Sequence, residues 1–137
     1  MRWQDATQKF DEAVGARYGL GPSERLCLSF LARGPQTASA VAREIRLTPA
    51  AVTTLSVRLA ARHYVRREAD PADRRKVMVV AAEATMTLMA EIYGPIAAKG
   101  ATMLAGYTEP ELQTIARMLR EVIDLQERET EALLDKS

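Results

Sequence analysis

Seven basic side chains crowd the stretch from residue 58 to residue 76: Arg58, Arg62, Arg66, Arg67, Arg74, Arg75 and Lys76, against only Glu68, Asp70 and Asp73. The stretch carries about +4 while the whole 137-residue chain carries +1, so the remainder is about −3. A stripe of guanidinium groups on a slightly acidic background fits contact with a polyanion, whose condensed counterions the arginines would displace. A solvated charged face has the same composition, and charge alone does not separate the two. Bond-making chemistry has few components here. The single cysteine, Cys27, allows no intrachain disulfide, and the single histidine, His63, leaves neither a zinc hydrolase nor a Ser-His-Asp triad its usual parts. No Cys/His cluster has metal-ligand spacing. The composition predicts a binding protein rather than an enzyme, with no metal and no cofactor.

The elements that must carry this stripe are mostly helical. With 47% apolar and 27% charged residues, the chain can bury one core, which predicts a single domain over 1–137. No apolar stretch approaches the eighteen or so residues of a membrane span, and Met1-Arg2-Trp3-Gln4-Asp5 has no apolar run after its charge, so a soluble, cytoplasmic protein is expected. Helical spacing over 4–18 ends at Gly19 and Gly21. Ser23 is a candidate cap for a second helix with an apolar stripe of Leu26, Cys27, Phe30 and Leu31, stopped by Gly34-Pro35. Thr37 or Ser39 can cap a third helix through Val41, Ala42 and Ile45. Thr48-Pro49 then starts a fourth, because proline's missing N–H would be unpaired at that position anyway.

The fourth helix runs to about Arg62 and buries Val52, Leu55, Ser56 and Leu59, which turns Ala50, Thr54, Val57 and Ala61 outward with Thr53 and Arg58 beside them. That outer face is small and weakly polar, suited to close approach to a base-pair surface. Period-two runs over 64–68 and 76–80 flank the turn Asp70-Pro71-Ala72-Asp73 and make a charged β-hairpin. Two tightly joined helices followed by a basic hairpin form a winged helix-turn-helix. After Ala81 the chain is helical again. Met86, Met89, Tyr93, Ile96, Gly100, Met103 and Leu104 recur at three and four, with a kink expected at Gly94-Pro95 and an end at Gly106. Thr108 and Glu111 form a capping box for a last helix bearing Leu112, Ile115, Leu119, Val122 and Ile123, a stripe that reaches toward Leu133-Leu134. The fold class is therefore mainly α with a small β-wing: a DNA-binding lobe over 20–82, and helices over 1–19 and 83–137 whose apolar faces a second subunit would cover, giving a homodimer.

The run Arg66-Arg67-Glu68-Ala69-Asp70-Pro71-Ala72-Asp73-Arg74-Arg75-Lys76-Val77 resembles the wing signature of the multiple antibiotic resistance regulator (MarR) family of bacterial winged helix-turn-helix proteins. The resemblance covers essentially the whole chain. It implies a sequence-specific, DNA-binding transcriptional regulator, a repressor relieved by a small aromatic effector, acting as a dimer on a pseudo-palindrome of double-stranded DNA. The helix that starts at Thr48, Pro49 and Ala50 would enter the major groove, with Thr53 and Thr54 bonding to base edges or phosphates, Val57 or Ala50 touching a thymine methyl, and Arg58 holding a phosphate. Arg66, Arg74, Arg75 and Lys76 would meet DNA from the wing, with Arg74 or Arg75 in or beside the minor groove. Asp70 and Asp73 would shape the turn and pair with one arginine, aiming the other.

Effector-binding members of the family use a cleft that Arg17, Tyr18, Leu26, Phe30 and Met78 could line here, although such residues at helical spacing also serve as plain core. The sequence departs from the family pattern in two places. His63 stands where a glycine usually ends the recognition helix, so it is expected in the left-handed conformation. Val80-Ala81-Ala82-Glu83-Ala84 replaces the usual Leu-Thr-x-x-Gly. Cys27 lies in the second helix, whereas peroxide-sensing members carry theirs in the first, and it reads as a buried, inert thiol. The alternative to DNA binding is a winged-helix adaptor whose basic stripe meets an acidic protein.

Overall fold

The computed structural model describes residues 2–135, leaving Met1, Lys136 and Ser137 outside the described residues. The elements are α1 (Arg2–Tyr18), α2 (Pro22–Leu31), β1 (Gln36–Thr37), α3 (Ala38–Glu44), α4 (Pro49–Ala61), β2 (Val65–Ala69), β3 (Val77–Ala81), α5 (Glu83–Leu104) and α6 (Glu109–Leu134). The helix starts follow local hydrogen bonding. Thr37, Thr48 and Thr108 each accept a backbone N–H three residues on, which satisfies one of the donors that a helix start leaves unpaired. The second helix departs from expectation: Gly21, not Ser23, is its N-cap. Pro22 occupies the first helical position, and the Glu24 carboxylate accepts the Gly21 N–H at 2.9 Å.

The wing is a three-stranded antiparallel sheet in the order β1-β3-β2. The expected hairpin pairs Val65 with Ala81 through Ala69 with Val77, and Gln36 and Thr37 add a strand on the other edge of β3, opposite Val79 and Met78. Two residues are too few to show a strand period, which is why β1 was not legible.

Two compact units divide the chain, residues 1–94 and 95–137. The first contains α1 and the first half of α5 as well as the helix-turn-helix and wing, so the division does not follow the one drawn at residues 19 and 82. Its core joins Val14, Leu20, Cys27, Leu28, Leu31, Val41, Val52, Leu55, Leu59, Val65, Val79, Leu88 and Ile92. Phe10 of α1 meets Tyr93 of α5 at 6.2 Å between tilted rings. Two sequence stripes are corrected here. In α2 the buried face is Glu24, Cys27, Leu28 and Leu31, spaced at three and four, and Leu26 is 57% exposed on the far side. In α5 the buried residues are Thr85, Leu88 and Ile92, whereas Met86 and Ile96 of the expected stripe are exposed, because the helix carries apolar residues on more than one face. Pro95 lies inside α5 at the unit boundary, where it removes one helical hydrogen bond. The second unit, comprising the end of α5 and α6, has no buried residue among those described. Leu119, Ile123 and Leu133 stand open in the single chain.

Candidate nucleic-acid interface

The fourth helix buries the four side chains read from its sequence, Val52, Leu55, Ser56 and Leu59. Its outer face is open: Thr48, Pro49, Ala50, Thr53, Thr54, Val57 and Arg58 are all exposed, with no carboxylate among them. The Thr53 and Thr54 hydroxyls donate to the carbonyls of Pro49 and Ala50 at 3.1 and 3.2 Å, which leaves their oxygen lone pairs facing out as acceptors. Entry to and exit from the helix are fixed by two left-handed residues, Arg46 at φ 54° and His63 at φ 63°. His63 thus takes the conformation expected of it, and its backbone N–H bonds to the Ala60 carbonyl at 2.9 Å.

Tertiary structure sorts the seven cations of the basic stripe. Arg58 Nε donates to Glu24 Oε1 at 2.9 Å, with the Glu24 side chain 9% exposed and that of Arg58 60% exposed. Arg62 donates to the carbonyls of Gly19 and Tyr18 at 2.8 Å each, lying across the negative end of α1, and its guanidinium sits 5.1 Å from the Tyr64 ring centre. Arg66 pairs with Glu68 at 3.1 Å, and Arg75 with Asp73 at 3.2 Å. Arg67, Arg74 and Lys76 have no acidic partner among the described residues. Sequence reasoning missed the pairing of Glu24 with Arg58 and the role of Arg62, whose partners lie 34, 43 and 44 residues away and leave no local signal; the bond of Glu24 to the Gly21 N–H, three residues back, is local and was legible in principle.

The wing turn is built by its aspartates. Asp70 Oδ1 accepts the Ala72 N–H at 2.9 Å, and Asp73 Oδ1 accepts both the N–H and the Nε of Arg75. The Lys76 backbone closes the turn through bonds to Asp73 and Asp70. One wing arginine is therefore tethered beside the turn while its neighbour Arg74 is exposed and unpaired.

The five residues expected around an effector do not form one site. Tyr18 lines a cavity of about 500 Å³ with Tyr64, Glu83, Thr87, Leu88 and Glu91, and none of the other four lines it. Arg17 and Leu26 are exposed. Phe30 is half-buried against the core with the Arg33 guanidinium 5.4 Å from its ring centre, and Met78 lies in β3 opposite Thr37 and Glu68. Spacing along one helix could not foresee this, because the cavity is walled by the end of α1, by Tyr64 just before β2 and by the first turns of α5. Cys27 is 1% exposed, and burial, with a smaller contribution from the Glu24 carboxylate, pushes its thiol from the ordinary 9.0 up to about 11. Such a thiol is almost wholly protonated near neutral pH, as expected of an inert packing residue.

Comparison with known proteins places this geometry. Residues 18–76 match the sequence model of the MarR family. An uncharacterized HTH-type transcriptional regulator of Bacillus subtilis strain 168, YcgE, is 32% identical over 128 residues, covering 93% of this chain and 83% of that protein. A MepR variant from a multidrug resistant S. aureus clinical isolate has a similar structure, with a TM-score of 0.73 at 16% identity over 92% of each chain. NadR, solved in complex with 4-hydroxyphenylacetate, gives a TM-score of 0.67 at 15% identity over 88% of this chain and 86% of that one. At these identities the two solved structures speak for the fold alone.

Proposed function

The chain belongs to the MarR family of transcriptional regulators, and from that premise we propose that it binds a pseudo-palindromic duplex as a homodimer and represses transcription until a small aromatic effector releases it. The observation that carries the reading is the division of labour in the wing. Asp73 ties Arg75 to the turn, so Arg74 is free to enter a minor groove while the carboxylate-free face of α4 enters the adjacent major groove. Thr53 and Thr54, presenting acceptors, suit the amino groups of adenine or cytosine, and Val57, 50% exposed, suits a thymine methyl. The unburied apolar face of α6 supports association with a second copy, since each large side chain left in water forgoes about 1.5–3 kcal/mol. The Tyr18–Tyr64 cavity is where an effector would act, by favouring a recognition-helix spacing that misses the half-sites. The protein then works without a cofactor or catalysis, in the cytoplasm where its DNA is; no described helix is long and apolar enough to cross a membrane.

The test is selection of bound fragments from random duplexes, followed by fluorescence anisotropy and a sizing measurement. We expect an enriched palindrome with half-site centres roughly 34 Å apart. Affinity should fall steeply with salt and drop about tenfold or more in Arg74→Ala. Recovery of no palindrome, or a stable monomer at the concentrations where DNA binds, would overturn the proposal.

A further inference from the structure

The walls of the Tyr18–Tyr64 cavity are fixed by bonds that leave its own polar side chains free. The Tyr64 carbonyl accepts the Ala82 N–H and the Thr85 hydroxyl, which fastens this residue to the beginning of α5. On the other side Arg62 donates to the carbonyls of Tyr18 and Gly19 and lies over the Tyr64 ring, so one guanidinium ties both tyrosines in place. Buried Leu88 and the half-buried tyrosine rings give the cavity an apolar floor, and the exposed carboxylates of Glu83 and Glu91 stand at its mouth.

No cation lines the cavity. Glu83 and Glu91 have no basic partner, and the hydroxyls of Tyr18, Tyr64 and Thr87 have no hydrogen bond, among the described residues. Thr87 is unusual in this, since Thr7, Thr53, Thr54, Thr102, Thr114 and Thr130 each donate to the carbonyl four residues back in their helices. Glu83 has a structural reason to be acidic, because the first turn of a helix favours negative charge. Glu91 has none. It lies two turns further on, and the residues three and four away from it, Thr87, Leu88, Gly94 and Pro95, cannot answer a charge. Two carboxylates outweigh the nearby Arg62, so the surroundings stay negative. Aromatic faces, an apolar floor and unpaired carboxylates suit an alkylammonium group. A ligand bearing a carboxylate would meet two like charges and no partner.

We propose that this cavity takes an organic cation, an ammonium centre carried on a small aromatic body. That the cation acts as the effector rests on the reading above; the preference for a cation over a neutral or anionic aromatic does not. Glu83 and Glu91 are eight residues apart, about 12 Å along the helix axis, too far for one ammonium to pair with both. One of them makes the pair, and the other adds to the attraction at the mouth.

The experiment uses the full-length protein at low salt, with the amide resonances of Tyr18, Tyr64 and Thr87 followed during titration with benzyltrimethylammonium, benzyl alcohol or phenylacetate. The cation should bind about tenfold more tightly than the alcohol, with phenylacetate the weakest of the three. Either Glu83→Gln or Glu91→Gln should weaken the cation by about fivefold, and the double variant should remove its preference over the alcohol. Asp5→Asn takes the same charge from an exposed position of α1 and should change nothing. Equal binding of cation and alcohol, tighter binding of phenylacetate, an unchanged cation affinity in the double variant, or no amide response to about 10 mM cation would each overturn the proposal. The ligands are then added to the complex with a selected duplex and release is read by fluorescence anisotropy, with tetramethylammonium as the ionic-strength control. Release by benzyltrimethylammonium from the wild type and not from the double variant supports both readings. A cation that binds without releasing DNA defeats the effector role and leaves the ligand class standing. Phenylacetate that shifts Tyr18 and Tyr64 and releases the duplex, where the cation does neither, upholds the effector role and overturns the preference for a cation.

Discussion

Replacing Glu24 by alanine should destabilise the protein far more than removal of a surface carboxylate, and its energetics can be worked from three contacts. The carboxylate accepts the Gly21 N–H at 2.9 Å, so its loss leaves that donor at the start of α2 without its partner, at a cost of about 1 kcal/mol. Deleting one buried methylene costs about 0.8 kcal/mol. The ion pair to Arg58 adds only about 0.2–1 kcal/mol, because that side chain is 60% exposed and rehydrates when its partner goes. The sum is about 2–3 kcal/mol. With a urea slope of about 1–3 kcal/mol per molar, the unfolding midpoint should fall by about 1 M. The converse variant is the sharper one. Arg58→Ala leaves Glu24, with 9% of its side chain exposed, as a charge without a cation, so it should cost more than an ordinary surface arginine, and Glu24→Gln in the same chain should restore part of the loss. Urea melts followed by circular dichroism, at one fixed protein concentration because association would contribute, complete the cycle. Strictly additive single and double variants, or an Arg58→Ala melt indistinguishable from wild type, would refute the reasoning.

Two further outcomes follow from packing and titration. Cys27, raised from 9.0 to about 11, should react with iodoacetamide at pH 8 about a hundredfold more slowly than in the urea-unfolded chain, from thiolate scarcity alone. Because the unfolded thiol ionises first, the same shift makes stability flat below pH 9 and falling between about 9 and 11; equal labelling rates in the two states would contradict both. Gly15→Ala sets a helix-propensity gain of about 1 kcal/mol against overpacking of about 1–3 kcal/mol. The added Cβ would lie 2.4 Å from Arg25 Nη1 and 2.7 Å from the Leu20 backbone oxygen, and the backbone atom cannot step aside cheaply, so a net loss of about 1 kcal/mol is expected in a thermal or urea melt. A stabilised variant would show that α1 can shift freely.

Local chemistry made much of this protein legible in one dimension. The caps at Thr37, Thr48 and Thr108, the buried stripe of α4, the left-handed His63 and the aspartate-built wing turn all depend on contacts within about four residues, and the residue types declare them. The winged helix-turn-helix followed from their order. Where the sequence alone misled, the cause was competition among faces. Leu26 and Met86 sit at helical spacing with apolar neighbours, but a helix with more apolar positions than one core can cover exposes some of them, and which ones depends on what packs beside it.

The function of individual cations was decided only in three dimensions. The sequence by itself determined that basic residues would concentrate on the fourth helix and the wing, because their positions along the chain are given. It could not show that Arg58 answers to Glu24 or that Arg62 closes the end of α1, since these partners lie tens of residues apart and meet only where the fold brings α2 and the end of α1 beside α4. A charge is local to its residue, whereas its availability to a ligand is set by whichever group the fold brings within about 3 Å of it.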